Sequence, residues 1–261
     1  MRLVVPTVAL IARPAINWVA LQRHLVDDVG APPNWLERRA MAPSGEILIE
    51  FMGRKCYRSF EAGLNPNISK VRTDRGDYFE NILSSRHGSV LAHAHYSFVF
   101  HNVSRVFTHE IVRHSAGTDI SQESLRYVRL DHIPFWEPEW ALQDEELHQR
   151  NKEIIAALEA HQKWMAQHFG LENPKLNFAE KKAKTSYMRR FAPEGLATSI
   201  GMTFNVRALR HVLEMRYSEH AEEEMLAIMP QLFAIMKSEL PLLFNDYAIT
   251  AAGLETPYRK V

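Results

Sequence analysis

Apolar positions recur along this chain with periods that switch between two and about 3.6, and the switches mark its elements. Residues 3–11 (LVVPTVALI) are apolar and β-branched and predict a strand. Pro14 opens a helix that carries Trp18, Leu21 and Leu25 on one face. Gly30–Pro33 breaks that pattern, and a short helix follows around Trp35–Met41. Leu48–Met52 fits a strand or a helix. A polar loop is expected from Arg54 to about Gly76, then a helix over Asp77–Ser85. Tyr96–His101 alternates, with Tyr96, Phe98 and Phe100 on one side, as in a half-buried strand.

Ser104 is placed to cap a helix running through Arg113. Its polar stripe is Arg105, His109 and Arg113, while Phe107 and Ile111 lie on a core-facing side. Asp131–Trp140, rich in proline and tryptophan, reads as an irregular connection. A long amphipathic helix is expected from Gln143 to Phe169, stopped by Gly170. Another covers Ala179–Arg190 and ends before Pro193. Leu196–Thr203 is ambiguous. Asn205–Arg216 is a helix with Val206, Leu209 and Leu213 as its apolar side. The last helical stretch, Ala221–Leu243, is interrupted by Pro230 and Pro241. No internal repeat or low-complexity segment is present.

Composition narrows the function classes. At 261 residues one domain is the default, here 1–261 with a helical extension from about residue 226. A formal net charge of zero gives no global electrostatic support for nucleic-acid or anionic-membrane binding. One cysteine, Cys56, leaves no intrachain disulfide and no cysteine-based zinc site, which fits a cytoplasmic location. The N-terminus lacks a signal-peptide layout, and no run approaches the ~20 apolar residues that span a bilayer.

The candidate chemistry centres on Arg113-His114-Ser115-Ala116-Gly117-Thr118-Asp119-Ile120-Ser121-Gln122-Glu123-Ser124-Leu125-Arg126-Tyr127. Two arginines, a histidine and several hydroxyls between apolar flanks suit an anionic, hydrogen-bonding ligand. Alone, such a run is as readily a solvated helix end whose arginines pair with nearby carboxylates. Histidine is plentiful nearby, at His93, His95, His101, His109 and His114. Yet His109 and His114 point roughly 140° apart on a helix and no H-E-x-x-H spacing occurs, so no metal is expected.

This run resembles the signature of the flavin-dependent thymidylate synthases, R-H-R-x-x-S-x-N-x-x-S-x-R. Arg113-His114 match its opening and Ser124-Leu125-Arg126 its close. Ser115 stands where a third basic residue is expected, Ser121 at the asparagine position, and the intervening segment is one residue longer. Three further stretches resemble the same family. His87, Ser89 and His93 match an H-x-T/S-x-x-E-H run, with Ala92 in place of its glutamate. Asn205-Val206-Arg207 and then Arg216 match an N-x-R pair and the arginine closing the same helix. His220 and Glu224 match an H-A-Q-x-E run, with Glu222 in place of glutamine. Arg189, with Arg190 as its rival, matches an arginine ahead of a Leu-Pro step. The resemblance extends from about residue 50 to residue 225.

The resemblance implies an α+β fold, a central antiparallel sheet flanked by long helices, assembled as a homotetramer with sites shared between subunits. It implies reductive methylation at C5 of a uridine monophosphate, with FAD as cofactor and methylenetetrahydrofolate and NADPH as co-substrates. His109, Glu110, Gln122, Ser124, Arg126, Arg189 and Arg216 would surround the nucleotide. Ser89, Arg113, His114, Asn205, Arg207 and His211 would face the flavin. Arg216 and Ser124 would stand closest to the chemistry, Arg216 polarising the pyrimidine and Ser124 holding the nucleotide rather than attacking it. The departures within Ser115–Ser121 point to a sugar pocket that admits UMP as well as dUMP. The alternative reading is a nucleotide- and flavin-binding module that no longer methylates.

Overall fold

The computed structural model describes residues 1–127 and 129–261. The expected strand over residues 3–11 is two strands, β1 (Arg2–Leu3) and β2 (Thr7–Ala12). Pro6 divides them because proline offers no N–H to a ladder. The first helix, α1 (Trp18–Arg23), begins not at Pro14 but at Asn17, whose side chain accepts the Ala20 N–H at 3.1 Å. A π-helical stretch, His24–Val29, continues it to Gly30 at φ 75°. In place of a helix at Trp35–Met41 there are two 3-10 turns, Pro33–Trp35 and Glu37–Arg39.

Leu48–Met52 proves helical, inside α2 (Ser44–Tyr57), and Arg54–Tyr57 form that helix's last turn rather than the start of a loop. Polar character misled there. Arg54 is buried, and its Nε donates to the equally buried Glu50 at 2.8 Å. Asp74 caps α3 (Arg75–Ser84). In β3 (His95–Ser104), Tyr96, Phe98 and Phe100 point into the core as the alternation predicts. Ser104 caps α4 (Arg105–Ile111), accepting the Phe107 N–H at 3.1 Å. That helix stops two residues short of Arg113.

The middle of the signature run is a strand, β4 (Thr118–Gln122). The two-residue β5 (Pro134–Phe135) pairs in parallel with β1. The long helix is split at Asp144 into α5 (Glu139–Gln143) and α6 (Glu145–His168), because the Asp144 side chain caps the second piece. A capping box of Asn177 and Glu180 starts α7 (Phe178–Met188). Leu196–Thr203 is resolved as strand by β6 (Ala197–Asn205), and α8 (Val206–Arg216) follows without a break, capped by Asn205.

Next, α9 (Glu223–Glu239) runs straight through Pro230, against the expected interruption. An interior proline costs about 3 kcal/mol. Ile228, Met229, Leu232, Phe233 and Met236 are buried along this helix and offset that cost. A short α10 (Pro241–Phe244) leads to a hairpin, β7 (Ala248–Thr250) and β8 (Gly253–Glu255). The segment after residue 226 is thus built into the main core and is not helical to its end.

The central sheet has the order β2-β3-β6-β4, every pair antiparallel. Phe98, Phe100, Ile200, Met202 and Phe204 of its inner face pack with Leu209 and Leu213 of α8 and Ile228 and Leu232 of α9 in one apolar cluster. A second cluster gathers Leu25, Trp35, Ile47, Phe51 and Phe60. The architecture is the expected antiparallel sheet with flanking helices. Among the described residues, no helix is long and apolar enough to cross a membrane.

Candidate active site

The sheet brings the distant motifs together. β4 lies against β6 in a register running from Thr118↔Phe204 to Gln122↔Ile200. Just before β4, Gly117 adopts φ 74° and its carbonyl accepts the Asn205 N–H at 3.0 Å. A Cβ at Gly117 would stand 2.3 Å from the Asn205 side-chain nitrogen, so only glycine fits both the backbone angle and the space. The signature run therefore starts its strand on the cap of α8.

The same helix closes a polar cluster at its far end. Arg216 donates from Nε to His114 Nε2 at 2.8 Å and from Nη2 to the Glu110 carbonyl at 3.1 Å, and its Nη1 pairs with the Glu110 carboxylate. His211 meets His114 edge to face at 5.9 Å. Burial, then the neighbouring Arg216 cation and His211, lower the His114 pKa to about 4. The ring is therefore neutral at physiological pH. Because Nε2 accepts from Arg216, the ring proton resides on Nδ1, which is left as a donor.

Ser89 and Arg207 are neighbours through Gly88, where an added Cβ would stand 3.0 Å from the Arg207 Nε. The side chains of Ser89, Arg113, Arg207 and His211 make no hydrogen bond or ion pair among the described residues. These uncommitted donors, with Asn205 and the Nδ1 of His114, fit the phosphates and carbonyls of a dinucleotide cofactor. Arg113 is the outlier, exposed on the turn after α4.

Gln122, Ser124 and Arg189 converge elsewhere, on a cavity of about 470 Å³ that Arg105 and Arg190 also line. Arginines from α4 and from the turn Arg189–Phe191 face one another there, with two glutamates, Glu123 and Glu194, at the same cavity. Gln122 Nε2 donates to the Thr108 hydroxyl at 3.0 Å, and His109 sits 3.3 Å from Glu194. Both Arg189 and its rival Arg190 line this cavity. Arg126 does not: its carbonyl accepts from Thr185 of α7 at 2.7 Å, and its Nε is buried without a partner. The cavity adjoins the end of β4 away from Gly117, and the two groups meet along α4, where Thr108 accepts from Gln122 and Glu110 pairs with Arg216. Among the described residues, no three His, Cys, Asp or Glu side chains are grouped to hold a metal ion.

Sequence reasoning missed both Arg105, read only as part of a polar helix stripe, and Thr108, which it did not single out. It gave no role to the Ser104–Glu224 contact. Glu224 is buried at the start of α9 and accepts the Ser104 N–H at 2.7 Å and also the Ser104 hydroxyl. It thereby fixes the end of α4 from which His109, Glu110 and His114 follow. Burial pushes its carboxyl up to about 7, with the Ser104 bonds only partly opposing the rise. A raised carboxyl pKa means that the folded chain holds its proton more tightly. Stability from this group is accordingly full in acid and falls as pH rises from the ordinary carboxylate range to about 7. Glu224→Gln keeps the shape and removes the titration. Denaturant melts across that window should show the parent losing about 3 kcal/mol that the variant retains. Parallel pH profiles would contradict this account.

A family model described as thymidylate synthase complementing protein matches residues 39–242. The flavin-dependent thymidylate synthase of Mycobacterium leprae (strain Br4923) is 33% identical over 230 residues, covering 85% of this chain and 87% of the relative. That of Mycobacterium avium (strain 104) is 34% identical over 233 residues, with 85% and 87% covered. The chain belongs to the flavin-dependent thymidylate synthase family and is an enzyme of that type. Its fold is shared with a UMP/dUMP methylase, PolB from Streptomyces cacaoi bound with 5-Br UMP, at TM-score 0.60 and 15% identity over 94% of this chain and 95% of that one. It is shared also with thymidylate synthase X from Helicobacter pylori with FAD and dUMP, at TM-score 0.56 and 23% identity over 77% and 93%.

Proposed function

We propose that this enzyme methylates C5 of a uridine monophosphate, dUMP and UMP both, using methylenetetrahydrofolate and NADPH with bound FAD. The observation that carries this reading is the Arg216–Glu110–His114 cluster, which unites residues more than a hundred positions apart in sequence. Uracil C5 is a weak nucleophile, and donors aimed at its carbonyl oxygens stabilise the charge that develops as C5 attacks a one-carbon unit. Arg216 carries such donors, and its guanidinium plane is set by the neutral His114 ring and the Glu110 carbonyl. The cavity holding Arg105, Gln122, Ser124, Arg189 and Arg190 suits the nucleotide phosphate. Ser89, Asn205, Arg207 and His211 would hold the flavin, whose reduced form supplies hydride to complete the methyl group. Once the new carbon–carbon bond has formed, the C5 proton would pass to solvent and tetrahydrofolate would leave as the amine, opening the methylene carbon to hydride.

The exposed edge strand β4 supports a homotetramer whose sites draw on more than one copy. The fold likeness to a UMP/dUMP methylase supports the wider nucleotide range. The test is tritium release from 5-labelled dUMP and UMP, with folate and NADPH supplied to protein whose flavin is confirmed by absorbance near about 450 nm. Release from both nucleotides is expected. Release from dUMP alone removes UMP as a substrate, and flavin binding without any release removes the methylation reading.

A further inference from the structure

A second concentration of charge precedes these motifs in the chain and has no part in the chemistry above. Glu50 of α2 is fully buried and accepts from Arg39, Arg54 and Arg75 at 2.5–3.0 Å. Arg75 also reaches the buried Glu46 at 3.0 Å, and Arg54 holds the loop before α3 through the Arg72 carbonyl at 2.8 Å. Beside this network is a cavity of about 70 Å³, lined by Arg38, Arg39, Arg54, Arg72 and Arg75 together with Trp35, Thr73 and one carboxylate, Glu61. The only carboxylates paired with these arginines are Glu46, Glu50 and Glu61, among the described residues. Four of the five guanidiniums share three carboxylates in direct ion pairs, and Arg72 takes part in none among the described residues.

Several donors here are unused. The Arg72 side chain has no hydrogen bond or ion pair among the described residues. Trp35 is 1% exposed, yet its indole N–H is buried with no acceptor. A buried N–H without a partner costs about 1–3 kcal/mol and is uncommon in folded chains. Planar, permanently charged donors around a space the size of a few water molecules match one tetrahedral oxyanion.

We infer that the cavity between the 3-10 turns at Trp35 and Arg39 and the loop at Arg72 is a binding site for a phosphate group. A wider polar compartment of about 420 Å³ adjoins it through Val71, Arg72 and Thr73; Lys70, Asn81 and Ser84 line it further, with the carboxylates of Asp74, Asp77 and Glu80 as acceptors for hydroxyl groups. That compartment has room for the body of a small sugar phosphate, so the phosphate is either a free ion or one end of such a molecule.

The test uses the full chain carrying 5-fluorotryptophan at its five tryptophans, with the Trp35 fluorine signal assigned by Trp35→Phe. Titration with inorganic phosphate against chloride at constant ionic strength should move the Trp35 signal saturably. Arg72→Ala should weaken that response at least tenfold. The Arg72 side chain carries none of the network, so an unchanged melting temperature in phosphate-free buffer certifies the variant's fold. Arg189→Ala, which alters the other arginine-lined cavity, should leave the Trp35 response intact. Ribose 5-phosphate binding tenfold more tightly than phosphate assigns the wide compartment to a sugar, and equal affinity assigns a free ion. A silent Trp35 signal, or a response that Arg189→Ala abolishes and Arg72→Ala does not, overturns the site.

Discussion

Arg216→Ala should lower kcat for C5 methylation by about 10²- to 10³-fold, the usual loss when one preorganised donor to a developing oxyanion is removed. Flavin binding should persist, because Arg207 and Asn205 sit at the other end of α8. Arg216→Lys is the informative companion. Lysine keeps the charge but not the rigid fork, and it cannot span His114 Nε2, the Glu110 carboxylate and the Glu110 carbonyl together. It should recover little of the lost rate. Loss of the tight contact with Arg216 should also let the His114 ring titrate closer to its ordinary range, visible as a rise from about 4 in its proton chemical-shift titration. Full activity in Arg216→Lys would show that charge alone suffices and that the held geometry is incidental.

Glu50→Ala should have the largest effect on folding. Burial by itself would push the Glu50 carboxyl up, but the bonds from Arg39 and Arg75 and the charges of Arg39 and Arg54 outweigh it and hold the carboxyl below its ordinary range. Its contribution to stability is present at neutral pH and is lost as pH falls through that depressed value. Removing the carboxylate takes the Glu50 partner from three guanidiniums, two of them almost wholly buried, and leaves Arg39 and Arg54 with backbone carbonyls alone. Breaking a buried pair from one side costs about 3–5 kcal/mol, which for a chain of this size lowers Tm by roughly 10 °C. Thermal melts at neutral pH give the number directly. Glu50→Gln should fall between parent and alanine, since an amide oxygen still accepts one bond. A Glu50→Ala protein melting within a degree or two of the parent would mean that the arginines find water or other acceptors.

The difference between what could be read in the sequence and what could not follows from where each element finds its partners. Strand β3 and helices α4 and α8 were legible because their apolar positions repeat cleanly and Ser104 and Asn205 cap them locally. Asn205 and Arg216, eleven residues apart on α8, both meet the signature run, one at Gly117 and the other at His114. Strand β4 was hidden: Thr118-Asp119-Ile120-Ser121-Gln122 is mostly exposed and is strand only because β6 lies beside it, some eighty residues away. Arg54 looked like loop for a related reason. A buried guanidinium can be recognised only through its acceptors, and Arg54 donates both to Glu50 within its own helix and to Arg72 beyond it. Glu224 was noticed as a motif match, but its hold on Ser104 spans 120 positions and leaves no local trace.

Strand β6 passes into α8 with no intervening loop, and β4 is laced to that strand along its length. Gln122 of β4 and Arg216 of α8 therefore ride on a single stiff girder rather than on separately hinged arms. Any tilt of the girder shifts the Arg216 end and the Gln122 end together. Adjustments that favour one ligand are consequently transmitted to the pocket of the other, so relatives that change nucleotide preference would be constrained to alter side chains along this beam while preserving its alignment.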